Sequence, residues 1–228
     1  MDSSTNIHGF TEHMPTDAMI RNPDPVNSIR PPVSFDSLIK EYPNALTSEF
    51  CKNCIERFNT DTRSYVGTVG SGTRTRTKQS QDLLISGLPG WEDVDTAFFK
   101  NLQPYITSYI EEFDNAFRFG SVQEWLNDTG YQIQRTEPGG FYDWHSDFSS
   151  QPEKNSTSGV RTRYFTYIWY LNTVEECGWT EFRSGVKIKP EEGKLVLFPA
   201  AWPYTHRGYP PKSEKYICTG WVYTHDSP

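Results

Sequence analysis

Apolar residues follow two different rhythms along the chain. In "LTSEFCKNCIERFNT", Leu46, Phe50, Cys54, Ile55 and Phe58 recur at helical spacing, and Thr47 or Ser48 can cap the start. In "EDVDTAFFKNLQPYITSYIEEFDNAF", Val94, Phe98, Leu102, Ile106, Ile110 and Phe113 form a second helical stripe. Pro104 is expected to kink or break that helix, because it has no N–H to give and its ring crowds the preceding turn. From about residue 130 the rhythm changes. "YQIQRT", "FYDWHSD", "RYFTYIWYL", "KLVLF" and "KYICTGWVY" are aromatic, β-branched or alternating, and "PGG", "NSTSG", "EECG", "KPEEGK" and "GYPPKSE" separate them. Short strands at such spacing predict an all-β sandwich, barrel or jelly roll with the helices packed outside it. The expected class is therefore α+β, mainly β.

Two stretches carry no apolar period. Residues 1–33 are polar, and "RNPDPVNSIRPP" holds four prolines, so they read as an extended tail. That leaves one domain over 34–228, with its β core at 130–224. Residues 60–80, including "YVGTVGSGTRTRTK", are rich in Gly, Ser, Thr and Arg. A structureless run of this length suggests a lid or binding loop, and Arg74 and Arg76 are its candidate substrate contacts. "GTVGSGTRT" lacks the G-K-[ST] ending of a phosphate loop.

Composition narrows the function. The 228 residues carry 29 acidic against 22 basic side chains, a formal net charge of −7, which disfavours nucleic acid and anionic membranes as partners. No apolar run approaches the roughly 20 residues of a membrane span. The N-terminus shows no signal-peptide pattern, so a cytoplasmic location is expected. Cys51 and Cys54 form a lone C-x-x-C with no second pair to complete a zinc site, and read as small apolar residues on a helix face.

Candidate chemistry starts at "GGFYDWHSDFSS". On a strand, His145 and Asp147 would project from one face. Imidazole plus carboxylate suits iron, and a facial triad needs one more histidine. Of His8, His13, His206 and His225, only His206 follows an apolar strand where a closed β structure could bring it alongside His145. In isolation, a His-x-Asp pair is more often part of a surface strand.

The flanking sequence adds weight. "QIQRTEPGGFYDWHSD", "RYFTYIWYLN", "EECGWTEF", "KPEEGKLVLFP", "THRG" and "KYICTGWV" occur in this order over residues 131–222. The series resembles the catalytic domain of the prolyl 4-hydroxylase-like Fe(II)/2-oxoglutarate dioxygenases, in their small soluble microbial or phage form. The resemblance implies a double-stranded β-helix (jelly roll) with supporting N-terminal helices. It implies Fe(II), 2-oxoglutarate and O2, with ascorbate as a candidate reductant, and a proline-containing peptide or protein as substrate. Its metal ligands would be His145, Asp147 and His206. Lys215, nine positions after His206, would bind the distal carboxylate of 2-oxoglutarate, with Tyr170 and Thr219 beside it. Tyr142 matches an aromatic near the metal, and Arg163 and Trp221 match substrate-contact positions.

Strand parity bears on these assignments. Lys215, Thr219 and Trp221 share one face, as do Thr166, Ile168 and Tyr170. Arg163 has the wrong parity, as has Tyr142 relative to His145, so each reaches the site only through a bulge or twist. The family also carries a tyrosine nine or ten residues before the first histidine, where this chain has Arg135 and Thr136; Tyr131 or Tyr142 would have to compensate. Rival readings are a non-catalytic or isomerase-type metal-binding jelly roll, and a dioxygenase acting on a non-prolyl substrate.

Overall fold

The computed structural model describes residues 34–69, 72–73, 76–117, 126–128, 130–152 and 160–224. The N-terminal tail and Arg74 lie outside these residues. A short 3-10 turn (Phe35–Leu38) leads into β1 (Lys40–Tyr42) and α1 (Ser48–Thr60), followed by β2 (Tyr65–Val66), β3 (Thr68–Val69), β4 (Gly72–Thr73) and β5 (Gln81–Leu84). Then come α2 (Glu92–Phe117), β6 (Leu126–Asp128), β7 (Gln132–Thr136), β8 (Tyr142–His145) and β9 (Ser150–Pro152). The rest is β10 (Val160–Tyr170), β11 (Thr180–Phe182), β12 (Lys187–Ile188), β13 (Leu195–Pro199), β14 (His206–Gly208) and β15 (Lys215–Thr224).

The strands form two principal antiparallel sheets. The larger runs β1-β13-β10-β15-β7-β5-β2, with β6 on β15 and β9 on β10; the smaller runs β12-β11-β14-β8. This is the jelly-roll arrangement, with the helices packed on the larger sheet. Thr47 caps α1 by accepting the Phe50 N–H at 3.2 Å. Cys51, Cys54 and Phe58 face inward and are buried. Burial pushes both thiols up to about 12, so they stay neutral and pack as apolar groups. From α2, Phe98 stacks on Tyr131 (5.5 Å between ring centroids) and meets Trp169 (5.0 Å). Asn101 accepts the Trp169 indole N–H at 3.0 Å, satisfying the one polar atom of a fully buried ring.

Two expectations need correction. Of the kink or break expected at Pro104, the break does not occur: α2 is one helix across it. Pro104 and Lys100, whose carbonyl loses its helical partner, are both exposed, so water can satisfy that carbonyl. The 60–80 segment is not structureless: β2 pairs with β5, and β3 with β4. Residues 77–79 also pair with the start of β8 and the residue before it, through Gln79 N–H to Phe141 O at 2.7 Å and Asp143 N–H to Thr77 O at 2.8 Å. The partners at 141–143 lie more than sixty residues away in sequence, and no local period announces them.

Gly220, in the middle of β15, is required by close approach. A Cβ there would run into the Tyr167 hydroxyl and the Gly130 carbonyl, which are themselves hydrogen-bonded at 2.9 Å.

Candidate metal centre and active-site cavity

β8 and β14 are paired so that His145 lies opposite His206. Each imidazole is oriented by its own backbone. Nδ1 of His145 bonds to Asp143 O at 2.7 Å, and Nδ1 of His206 to Tyr204 O at 2.9 Å. A carbonyl only accepts, so each Nδ1 carries the proton and each Nε2 presents a lone pair. Both Nε2 atoms face Asp147, His145 at 3.7 Å from Oδ1 and His206 at 3.7 Å from Oδ2. Two bonds of roughly 2 Å, as in zinc–imidazole sites, span such a gap. The three ligand atoms lie within 4.8 Å of one another.

Asp147 gets there differently from the sequence expectation. β8 ends at His145, so strand parity does not place Asp147. Its carboxylate is held from the larger sheet instead: Thr166 Oγ1 donates to Oδ2 at 2.8 Å. Arg163 Nη1 donates to the Asp147 carbonyl at 3.3 Å. Burial alone would raise the Asp147 pKa, but the two imidazoles, the Thr166 hydroxyl and Arg163 outweigh it and hold the carboxyl below its ordinary value. Burial, and then His206 beside it, push His145 down to about 4. Asp147 is therefore a carboxylate and His145 a neutral imidazole, the forms that ligate a metal.

The triad opens into a cavity of about 520 Å³ between the two sheets, within the range of small-ligand sites. Lys215 lines it, buried, with Nζ donating to Gly178 O at 2.9 Å. Burial lowers its pKa to about 8, and no carboxylate pairs with it among the described residues. The Trp221 Nε1 donor on the same wall is buried without a partner. A buried ammonium with unused donors suits an anionic carboxylate ligand, and the triad suits Fe(II).

The other expected residues divide. Two bulges bring in the side chains of wrong parity. The β8–β14 register slips between His206 and Gly208, so three steps on β8 match two on β14; Tyr142 thereby stacks on His145, 3.6 Å between centroids, and lines the cavity. The β10–β15 register slips between Arg163 and Phe165, which turns Arg163 into the cavity, its guanidinium carbon 3.5 Å from the Trp221 ring centroid. Thr219 lines the cavity, but its hydroxyl proton goes to Tyr167 O at 2.8 Å. Tyr170 is not on the cavity wall; its hydroxyl pairs at 2.7 Å with that of Thr180, which is. Arg76 is exposed and off the wall. Tyr131 does not compensate for the missing tyrosine, since it is buried against Phe98 and bonded to Asp128; Thr136 lines the cavity in that region.

Sequence reasoning missed Lys78, Gln132, Gln134 and Thr180, all on the wall. Gln132 and Gln134 could have been read from their alternation with Ile133 on β7. Lys78 carried no signal, being one polar residue at the end of a polar run.

Known proteins point the same way. The sequence model described as the 2OG-Fe(II) oxygenase superfamily matches residues 131–223. No curated protein sequence matches the chain. Among solved structures, a viral collagen prolyl hydroxylase from Paramecium bursaria Chlorella virus-1, in complex with 2OG, is similar in fold: TM-score 0.58, 21% identity, covering 82% of this chain and 96% of that one. A prolyl-4-hydroxylase from Pseudomonas putida gives TM-score 0.58 at 18% identity, covering 81% and 91%. A prolyl hydroxylase from Trichoplax adhaerens, bound to a hypoxia inducible factor peptide fragment, gives TM-score 0.61 at 19% identity, covering 82% and 84%. Residues 131–223 thus match a 2OG-Fe(II) oxygenase domain, the fold is that of the prolyl 4-hydroxylases, and the match together with the His145–Asp147–His206 triad supports a 2-oxoglutarate-dependent dioxygenase that uses Fe(II) and 2-oxoglutarate.

Proposed function

We propose that this dioxygenase hydroxylates a prolyl residue in a peptide or protein and releases succinate and CO2. The carrying observation is that the triad and the unpaired Lys215 share one cavity. The collagen prolyl hydroxylase and the peptide-bound Trichoplax enzyme among its structural neighbours support the substrate class. Iron and 2-oxoglutarate, when bound, supply the oxidising power that converts a C–H bond to C–OH. His145, Asp147 and His206 would hold the metal, with the cavity beside them to admit further ligands. Lys215 pairs with the distal carboxylate of 2-oxoglutarate in a charge-assisted bond. Trp221 Nε1 offers a second donor at the wall. Arg163, stacked on Trp221 and tied to Tyr223 by a 2.9 Å hydrogen bond, forms the substrate-facing rim.

The test is succinate production by the Fe(II)-loaded protein with 2-oxoglutarate and O2, with and without proline-containing peptides, followed by mass spectrometry for an added oxygen atom. Peptides with alanine in place of proline serve as controls. Turnover equally stimulated by both sets would refute prolyl specificity, and turnover unaffected by His145→Ala would refute the whole reading.

A further inference from the structure

A buried ion pair leads, through two stacked groups, to a metal ligand. Asp82 is fully buried, and its Oδ2 lies 2.5 Å from Nζ of Lys78, which is 3% exposed. Its other oxygen accepts the Ser80 hydroxyl at 2.7 Å. The ammonium sits over the Tyr142 ring, 5.4 Å from its centroid. The Tyr142 ring in turn lies nearly parallel to the His145 imidazole, 3.6 Å away with 14° between planes. The backbone links the same residues, since Lys78 and Tyr142 form an antiparallel bridge. Gly67 presses on the cluster from outside; a Cβ there would run into Ser80 Oγ and come within 3.1 Å of Lys78 Cε. A buried ion pair contributes little net stability, because desolvation offsets most of its Coulombic gain. One placed on the cavity wall against a ligand-bearing strand is better explained by what it holds in place.

We propose that Lys78, held by Asp82, is a positioning residue that clamps Tyr142 against His145 and so fixes the plane in which His145 Nε2 meets the metal. This rests on His145 being a metal ligand. The bond from Nδ1 to Asp143 O pins one atom of the imidazole but leaves the ring free to tilt about that point. The phenol face removes this freedom, and the ammonium over the Tyr142 ring holds the phenol in place. Metal affinity and ligand-field geometry therefore depend on a side chain that never touches the metal.

The experiment is Co(II) binding to the full chain, read by visible absorption and needing no turnover. Lys78→Met is expected to weaken Co(II) binding about tenfold or more, the size typical of groups that orient a metal ligand, and to shift the cobalt bands. Lys78→Arg keeps the cation and recovers most of the affinity. Lys78→Gln keeps a hydrogen bond to Asp82 without the cation; it is expected to match Lys78→Met and guards against a Met variant that does not fold. In a Tyr142→Leu background, Lys78→Met is expected to add nothing, because the intermediary is gone. Folded Met and Gln variants with wild-type affinity and spectrum, alongside a His145→Ala variant that has lost binding, overturn the clamp alone. If His145→Ala also binds like wild type, the ligand assignment fails and the clamp with it.

Discussion

The two faces of β10 do opposite work. Phe165, Tyr167 and Trp169 point towards the helices, where Phe165 meets Tyr109 at 5.1 Å and Trp169 meets Phe98 at 5.0 Å. Thr166 and Ile168 point into the cavity, and Thr166 holds the metal-site carboxylate. Both faces are buried, so exposure does not separate them. Pairing does. The helix-facing residues of β10 satisfy their polar atoms internally, as Trp169 does with Asn101 and Tyr167 with Gly130 O, whereas among the described residues the cavity wall on neighbouring β15 holds Lys215 without a carboxylate and Trp221 Nε1 without a hydrogen-bond partner. Buried polar groups without partners cost stability, so the β15 side of the cavity gives up stability that the helix-facing side of β10 keeps.

That contrast can be broken by experiment. The largest effect is expected on the helix face: Phe98→Ala removes a fully buried ring touching Phe50, Tyr131 and Trp169 and should lower unfolding free energy by about 3–5 kcal/mol. Urea denaturation measures this, and a loss below about 1 kcal/mol would mean the aromatic cluster is not the core it resembles. On the cavity wall the sign should differ. Lys215→Met is expected to weaken 2-oxoglutarate binding by about 2–5 kcal/mol while leaving ligand-free stability at neutral pH equal or higher. Calorimetry and denaturation on the same variant decide, and a destabilised ligand-free protein would contradict the claim that Lys215 is there for a ligand. Thr166→Val keeps shape and removes only the donor to Asp147; metal affinity should fall about tenfold, with little change in melting temperature.

The finest effect is in pH. Burial lowers Lys215 from 10.5 to about 8. Between these values the unfolded chain still holds the proton that the ligand-free folded protein has released. The Lys215 contribution to ligand-free stability therefore rises with pH from about 8 to 10.5. Affinity for 2-oxoglutarate should fall over the same window, since the charged form is the partner. Stability profiles of wild type and Lys215→Met that stay parallel across this window would rule the shift out.

Much of this was legible in the residues. Helical spacing located α1, with Thr47 as one of two candidate caps, and α2, though with a kink or break expected at Pro104. Alternation gave β7, β10, β13 and β15, and with them the shared cavity face of Lys215, Thr219 and Trp221. Parity also stated the condition under which Arg163 and Tyr142 could reach the site, namely a bulge, and both bulges are present. Parity could not say whether they would occur. A bulge is a mismatch in step between two strands, and β8 and β14 are some sixty residues apart in sequence.

By itself, then, the sequence determined which side chains were available and which way a regular strand would aim them, because side-chain direction is set by local backbone geometry. Only the tertiary structure decided where strands end and slip. It took Asp147 off the strand and placed it under Thr166, gave the Thr219 hydroxyl to the backbone, paired Tyr170 with Thr180, and carried Lys78 onto the wall beside Tyr142. Each of these is a contact between segments distant along the chain. Such contacts exist only once strands have paired and packed, and no local period encodes them.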